Sequence, residues 1–225
     1  MSSQFAVCRG VIFDMDGLVV DTEQISYPIW QRVFKENGYP FEYDVYIRTI
    51  GCDIKTSESI MKSAYGSDFP YMDLRAKRKQ YGEEYVSKHG IPVKDGAVEL
   101  IEFLSDLQVP YALATSTAFE KMQVTLKIAG ITKYFQNIVA GDQVAKGKPD
   151  PEIFLKAAKL INTDPKCCVV LEDSLRGLQA AFASEMIPIF VPDVIRPNEE
   201  TNKLAHATCC NLFEAKELIE RMLSY

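Results

Sequence analysis

Four short runs of this chain carry side chains that could do chemistry together. Asp14 and Asp16 stand one residue apart and are followed by Gly17. A hydroxyl run, Thr115-Ser116-Thr117, comes much later, then Lys146 and Lys148 ahead of Pro149-Asp150-Pro151, then Glu172-Asp173-Ser174. Carboxylates with no neighbouring His or thiolate form a hard oxygen set. Such a set suits Mg²⁺ held by one or two carboxylates, waters and a substrate phosphate. Hydroxyls and exposed amides at a helix N-terminus favour anionic oxygens, and a lysine adds a point charge for phosphate. The combination fits a phosphate monoester. An acidic nucleophile would repel that dianion, and a metal with a lysine offsets the repulsion and stabilises charge in the transition state. Taken singly, each run has a plainer reading. Asp14 to Gly17 reads as a turn, Thr115–Thr117 and Glu172–Ser174 as helix caps, and Lys148 as a solvated loop charge.

These runs meet only if the fold carries them to one edge. Cys8 to Phe13 is an apolar run cut off by Asp14, as expected of a central parallel strand ending at a functional loop. From about Thr22 to Val93 the pattern is helical, with no convincing strand. Ile25, Ile29, Trp30, Val33 and Phe34 keep helical spacing, Gly38 stops that helix, and Pro28 suggests a start or kink near Tyr27. Asp53 is expected to cap a helix running to Ala64 and ended by Gly66, and Met72 to Lys88 is charged and amphipathic. From Lys94 onward strands and helices alternate: strands at 110–115, 138–140, 168–171 and 187–191, helices at 97–107, 118–129, 151–161, 174–184 and 213–223. Alternation of this kind means βαβ units and a parallel sheet covered on both faces, with the ligand site at the carboxyl ends of the strands. The expected fold is therefore α/β: a Rossmann-like parallel sheet core built from 1–21 and 94–225, interrupted by an α-helical insertion over 22–93.

Composition narrows the function. The chain has 225 residues, with 25 Lys plus Arg against 31 Asp plus Glu, a formal charge of −6. That argues against a nucleic-acid partner, which needs a basic face. No apolar run approaches the ~18 residues needed to cross a bilayer, and MSSQFAVCRG has no signal-peptide pattern, so no membrane partner is expected. The six cysteines form no CxxC pair and read as reduced, mostly buried thiols in a cytoplasmic protein. His89 and His206 lie in no catalytic context.

Asp14-Met15-Asp16-Gly17-Leu18-Val19-Val20-Asp21-Thr22 resembles the first signature of the haloacid dehalogenase-like superfamily. Thr115 falls where its second signature has Ser or Thr, Lys148 in Lys-Pro-Asp-Pro falls at the third, and Glu172-Asp173-Ser174 is similar to the acidic fourth. The resemblance covers essentially the whole chain, with the helical insertion as a cap, and is greatest to the β-phosphoglucomutase-like subgroup. It implies that Asp14 attacks phosphorus and forms an aspartyl-phosphate. Asp16 would protonate the leaving alkoxide and then activate water. The resemblance further implies that Asp14, the Asp16 backbone carbonyl and Asp173, helped by Glu172, hold Mg²⁺, and that Thr115, Ser116 and Lys148 hold the phosphoryl group. Lys148 is preferred to Lys146 because it directly precedes Pro149. An acid at Asp16 separates phosphoryl transfer from the dehalogenase branch, whose leaving halide needs no proton.

The same resemblance sets hydrolysis against the mutase reaction. Ser26 stands where β-phosphoglucomutases carry a cap histidine, and no arginine follows Gly51 at the matching place, while Lys79 matches a cap lysine. Two absent marks favour a phosphatase of small phosphorylated metabolites, sugar phosphates foremost. A sugar-phosphate mutase, a pyrophosphatase and a non-catalytic phosphate-binding relative are the alternatives. Gln24, Tyr27, Trp30, Arg48, Lys55 and Lys79 are the cap residues expected near the substrate, with Trp30 also reading as cap core. Hinges are expected near Asp21–Glu23 and Pro92–Gly96, and a monomer or weak homodimer is the expected assembly.

Overall fold

The computed structural model describes residues 7–223. Strand β1 (Gly10–Phe13) lies at the centre of a six-stranded parallel sheet. Its other strands are β2 (Tyr111–Ala114), β3 (Ile138–Val139), β4 (Cys168–Glu172), β5 (Ile187–Phe190) and β6 (Ala207–Thr208), in the order β3-β2-β1-β4-β5-β6. Phe13 pairs with Leu113 on one side and Leu171 on the other. That register brings Asp14, Ala114 and Glu172 to one level at the carboxyl edge. Side chains alternate across the sheet. Val11 and Phe13 join one core with Leu100, Leu104, Leu126 and Ile219, while Ile12 joins the other with Phe154, Ala157 and Ala180.

The helices that cover the sheet are α5 (Ala97–Asp106), α6 (Phe119–Ile128), α7 (Glu152–Leu160), α8 (Leu175–Ala183), α9 (Glu199–Leu204) and α10 (Leu212–Leu223). Strands and helices match the sequence pattern except at the far edge. There α9 and β6 were unmarked, because each is short and neither has room for a hydrophobic period. Asn198 is the signal that was present: its side chain accepts from the backbone N–H groups of Glu200 and Thr201, as an N-cap does.

Four helices lie between β1 and α5: α1 (Thr22–Glu36), α2 (Tyr43–Ile47), α3 (Ile54–Tyr65) and α4 (Tyr71–His89). The expected start near Tyr27 is corrected, since α1 runs from Thr22 straight through Pro28. Pro28 and Gln24 are both solvent-exposed. The Gln24 carbonyl that loses its helical N–H partner can therefore be hydrated, and the helix continues. Asp21 caps this helix through the Gln24 N–H, and Asp53 caps α3 through the Thr56 N–H. The short helix α2 was also unmarked.

The four helices have an aromatic core of their own. Trp30 stacks on Tyr71 at 6.1 Å, and Phe34 is ringed by Tyr39, Phe41, Tyr65 and Phe69. The chain enters and leaves this unit side by side. Val20 and Val93 form an antiparallel bridge, the Asp21 N–H donates to Pro92 O, and the Lys94 N–H donates to Val19 O. Lys94 Nζ then ties Asp21 to Asp193 of the loop after β5. Towards the sheet unit, Tyr43 Oη donates to the Val194 carbonyl, and Ile47 and Ile50 pack against Leu178, Phe190 and Ile195.

Candidate active site

The carboxyl edge of β1, β2 and β4 gathers the residues singled out above. Asp14 follows β1 directly and is buried. Lys148 enters from the loop before α7, is also buried, and donates from Nζ to Asp14 Oδ1, to Glu172 Oε1 and, at 3.3 Å, to the Ala114 carbonyl. Its three acceptors come from three adjacent strands, so the register of the sheet sets its position. Lys146, by contrast, is exposed and faces Asp150.

Glu172 closes β4 and is fully buried. Its Oε2 accepts from the Asp173 N–H, the Ser174 N–H and Ser174 Oγ at 2.9–3.1 Å. The α8 helix turns tightly around it, and a Cβ at Gly177 would fall 1.8 Å from Glu172 Oε1. Gly17, at φ +86°, has the same role for Asp173: a Cβ there would lie 2.2 Å from Asp173 Oδ2. Two glycines thus make the space that the acids fill.

Asp16 is oriented by hydroxyls. Thr22 Oγ1 donates to Oδ1 at 3.1 Å, and Thr117 Oγ1 and Thr115 Oγ1 donate to Oδ2 at 2.7 and 3.4 Å. Thr115 is buried and its hydroxyl also accepts from the Thr117 N–H, whereas Ser116 is exposed. A Cβ at Gly141 would lie 2.1 Å from the Ser116 carbonyl, so this glycine lets the β3 loop press against the hydroxyl run.

Carboxylate oxygens of Asp14, Glu172 and Asp173 all lie within 4.8 Å of one another. Burial is the main force on each of the two aspartates. It pushes Asp14 up from 3.8 to about 8, with Lys148 opposing and Glu172 adding to the rise. Asp173 is also held well above the ordinary range, by burial, then Glu172 and Asp14. For Lys148 burial opposes the charge, but Asp14 and Glu172 outweigh it and keep the ammonium protonated. Three crowded carboxylates thus face one lysine, and the donor set is all oxygen. A hard divalent cation fits that imbalance.

The haloacid dehalogenase-like hydrolase family matches residues 11–191. The chain belongs to this family. A phosphorylated carbohydrates phosphatase of Thermotoga maritima is 31% identical over 211 residues, covering 94% of this chain and 96% of its own. The validoxylamine A 7'-phosphate phosphatase of Streptomyces hygroscopicus subsp. limoneus is 27% identical, covering 76% of this chain and 79% of its own. The crystal structure of β-phosphoglucomutase from Clostridium difficile superposes with a TM-score of 0.74 at 21% identity, over 97% of this chain and 98% of that one, a likeness of fold.

The side chains expected near the substrate from the four helices of this haloacid dehalogenase-like hydrolase divide by exposure. Gln24, Arg48, Lys55 and Lys79 are exposed, and Lys79 pairs with Glu83 along its own helix. Long cationic side chains stay in water unless a partner draws them in. Trp30 is cap core, and Tyr27 sits edge-on to Phe41, Tyr43 and Tyr46. The fold also brings together Glu23, Tyr46 and Arg78. Tyr46 Oη donates to Glu23 Oε2, and Arg78 faces both, with its Nε buried and without a hydrogen-bond partner. Arg176 was also unmarked: its Nε and Nη2 donate to the Lys148 carbonyl at 3.0 and 2.6 Å. Of the cysteines, Cys8, Cys168 and Cys209 are buried, Cys52 and Cys167 are half-buried and Cys210 is exposed, all free. Among the described residues no helix is long and apolar enough to cross a membrane.

Proposed function

We propose that this protein is a Mg²⁺-dependent phosphatase of small phosphorylated metabolites, with sugar phosphates as the main class, working through an aspartyl-phosphate. The observation that carries the reading is Lys148 held between Asp14 and Glu172, beside an Asp16 whose carboxyl is fixed by three hydroxyls. The likeness to a phosphorylated carbohydrates phosphatase over nearly the full chain supports the substrate class.

The chemistry divides between two carboxylates. Asp14 attacks phosphorus, the bond from phosphorus to the leaving oxygen breaks, and the Asp16 carboxyl gives that oxygen its proton. Asp16, now a carboxylate, takes a proton from water as the water oxygen attacks the phosphoryl group. The Asp14–phosphorus bond breaks, and inorganic phosphate leaves. Lys148, Thr115 and Ser116 bind the phosphoryl oxygens. Asp14, the Asp16 carbonyl and Asp173 would hold Mg²⁺ with Glu172 alongside, and the ion would supply positive charge against the phosphoryl oxygens. Residues 22–93 serve as a cap that swings on Asp21–Glu23 and Pro92–Gly96, excluding water from the first step. Ser26, where β-phosphoglucomutases carry a cap histidine, has no basic group, which favours water over a second sugar phosphate as acceptor. A cytoplasmic monomer or weak homodimer completes the reading.

Phosphate release from sugar phosphates, nucleotides and pyrophosphate, with Mg²⁺ and with EDTA, tests it beside Asp14→Asn. Metal-dependent release that falls at least ~1,000-fold in the variant is expected for loss of a covalent nucleophile. Residual activity above a tenth of wild type would remove Asp14 from that role.

A further inference from the structure

We propose that Glu23, Tyr46 and Arg78 form a subsite beside Asp16 that reads a neutral, hydroxyl-rich leaving group, so that the preferred substrates carry one phosphate on a polyhydroxy frame. The inference rests on the phosphatase reading and assigns its substrate class from the cap side.

Three elements converge to build the subsite. Glu23 follows Thr22, whose hydroxyl donates to Asp16, so it stands at the start of α1 next to the proton donor. Tyr46 comes from α2, is 3% exposed, and places its hydroxyl on Glu23 Oε2 with Ser26 Oγ at 3.3 Å. Arg78 comes from the middle of α4 and faces Glu23, Tyr46 and Tyr71. Tyr46 takes up one oxygen of Glu23, while Oε1 accepts no hydrogen bond among the described residues. Arg78 Nε is a buried donor with no acceptor. A buried donor without a partner is costly, and native structures seldom keep one that nothing fills.

The two unpaired positions are complementary to hydroxyls. A hydroxyl both donates and accepts. A pair of neighbouring hydroxyls can therefore give a proton to Glu23 Oε1 and lend a lone pair to Arg78 Nε. A second phosphate could only accept. It would meet Glu23 itself, with the charges of Asp16, Asp173 and Asp193 reaching the same place, while the charge of Glu23 already offsets that of Arg78. Discrimination of this kind comes from polar groups left unpaired by the wrong ligand.

The test compares a hexose monophosphate, a hexose bisphosphate and p-nitrophenyl phosphate, which has no sugar hydroxyls, on wild type, Glu23→Ala and Arg78→Met. The expected result is a loss of ~10-fold or more in kcat/KM on the monophosphate for each variant, with p-nitrophenyl phosphate changed less than ~3-fold. Parallel losses on both esters, no loss on either, or a wild type that prefers the bisphosphate would overturn the subsite. Calorimetric binding to Asp14→Asn protein with Mg²⁺ separates this from the catalytic reading. Adding Arg78→Met should weaken the hexose monophosphate ~10-fold and leave inorganic phosphate unchanged. That contrast in a wild type that releases no phosphate would keep the subsite and overturn the phosphatase. Turnover without the contrast would do the reverse.

Discussion

The Glu172 carboxylate occupies the space that a side chain at position 177 would need: a Cβ on Gly177 would sit 1.8 Å from Oε1 and 1.9 Å from Cδ. Helix α8 can pass this close to the end of β4 only with glycine in its first turn. The acid cannot easily move, being bound by Lys148, two backbone N–H groups and Ser174 Oγ. By helix propensity alone Gly177→Ala should stabilise α8 by ~1 kcal/mol. The clash should win instead, lowering stability by roughly 3 kcal/mol or more and displacing Lys148. Urea denaturation beside a turnover assay decides it; a variant as stable as wild type would mean that Glu172 has room to swing aside.

Thr117 donates to Asp16 Oδ2 at 2.7 Å, the shortest of the three hydroxyl contacts to that acid. Thr117→Val should leave the fold intact and lower kcat ~10- to 100-fold, with KM changed less than ~3-fold, because Asp16, the proton donor of the proposed mechanism, loses its aim. The loss should be larger for alkyl esters than for p-nitrophenyl phosphate, whose leaving group needs less help from a proton. Equal losses on both would place Thr117 outside the proton-transfer step.

Burial of Asp14 and Asp173, reinforced by their closeness to Glu172, makes metal-free stability depend on pH. Asp14 is raised from 3.8 to about 8 in the folded protein, chiefly by burial. A carboxyl raised on folding stabilises the fold below its ordinary range, and that stability is lost as pH climbs through the folded value. In EDTA the melting temperature should therefore fall from about pH 4 to about pH 8. Mg²⁺ should restore it most at the upper end, by about 2.7 kcal/mol at a hundred times its Kd. Asp173→Asn should raise the melting temperature in EDTA, remove the response to Mg²⁺ and abolish turnover. A flat melting profile in EDTA would contradict the raised Asp14.

Arg176 grips the Lys148 carbonyl through two nitrogens, while its other side faces Cys52, between α2 and α3. In the proposed mechanism its part is to position Lys148. Arg176→Met should weaken inorganic phosphate binding roughly 10-fold, in keeping with the loss of a charged hydrogen-bond pair. Arg176→Lys, able to make one such bond, should recover part of it. Calorimetry with phosphate and Mg²⁺ provides the measurement. Unchanged phosphate affinity in Arg176→Met would show that the sheet alone holds Lys148.

Much of this protein is determined by local pattern. The apolar run ending at Asp14, the alternating strands and helices after Lys94, and the acids and hydroxyls at strand ends follow from periods of two and 3.6 and from where those periods stop. They lead to a parallel sheet and one chemical edge, since each signal lies within a few residues. Asp53 and Gly66 mark the ends of α3 for the same reason. What only the tertiary structure decided depends on contacts between distant segments. The register of β1 against β2 and β4 places Lys148 among Asp14, Ala114 and Glu172. The turn of α8 selects Gly177, and the packing of α1, α2 and α4 turns Arg78 inward while Lys79, one residue on, lies in solvent. Adjacent residues on a helix point about 100° apart, so only the packed neighbours determine which cation faces the site.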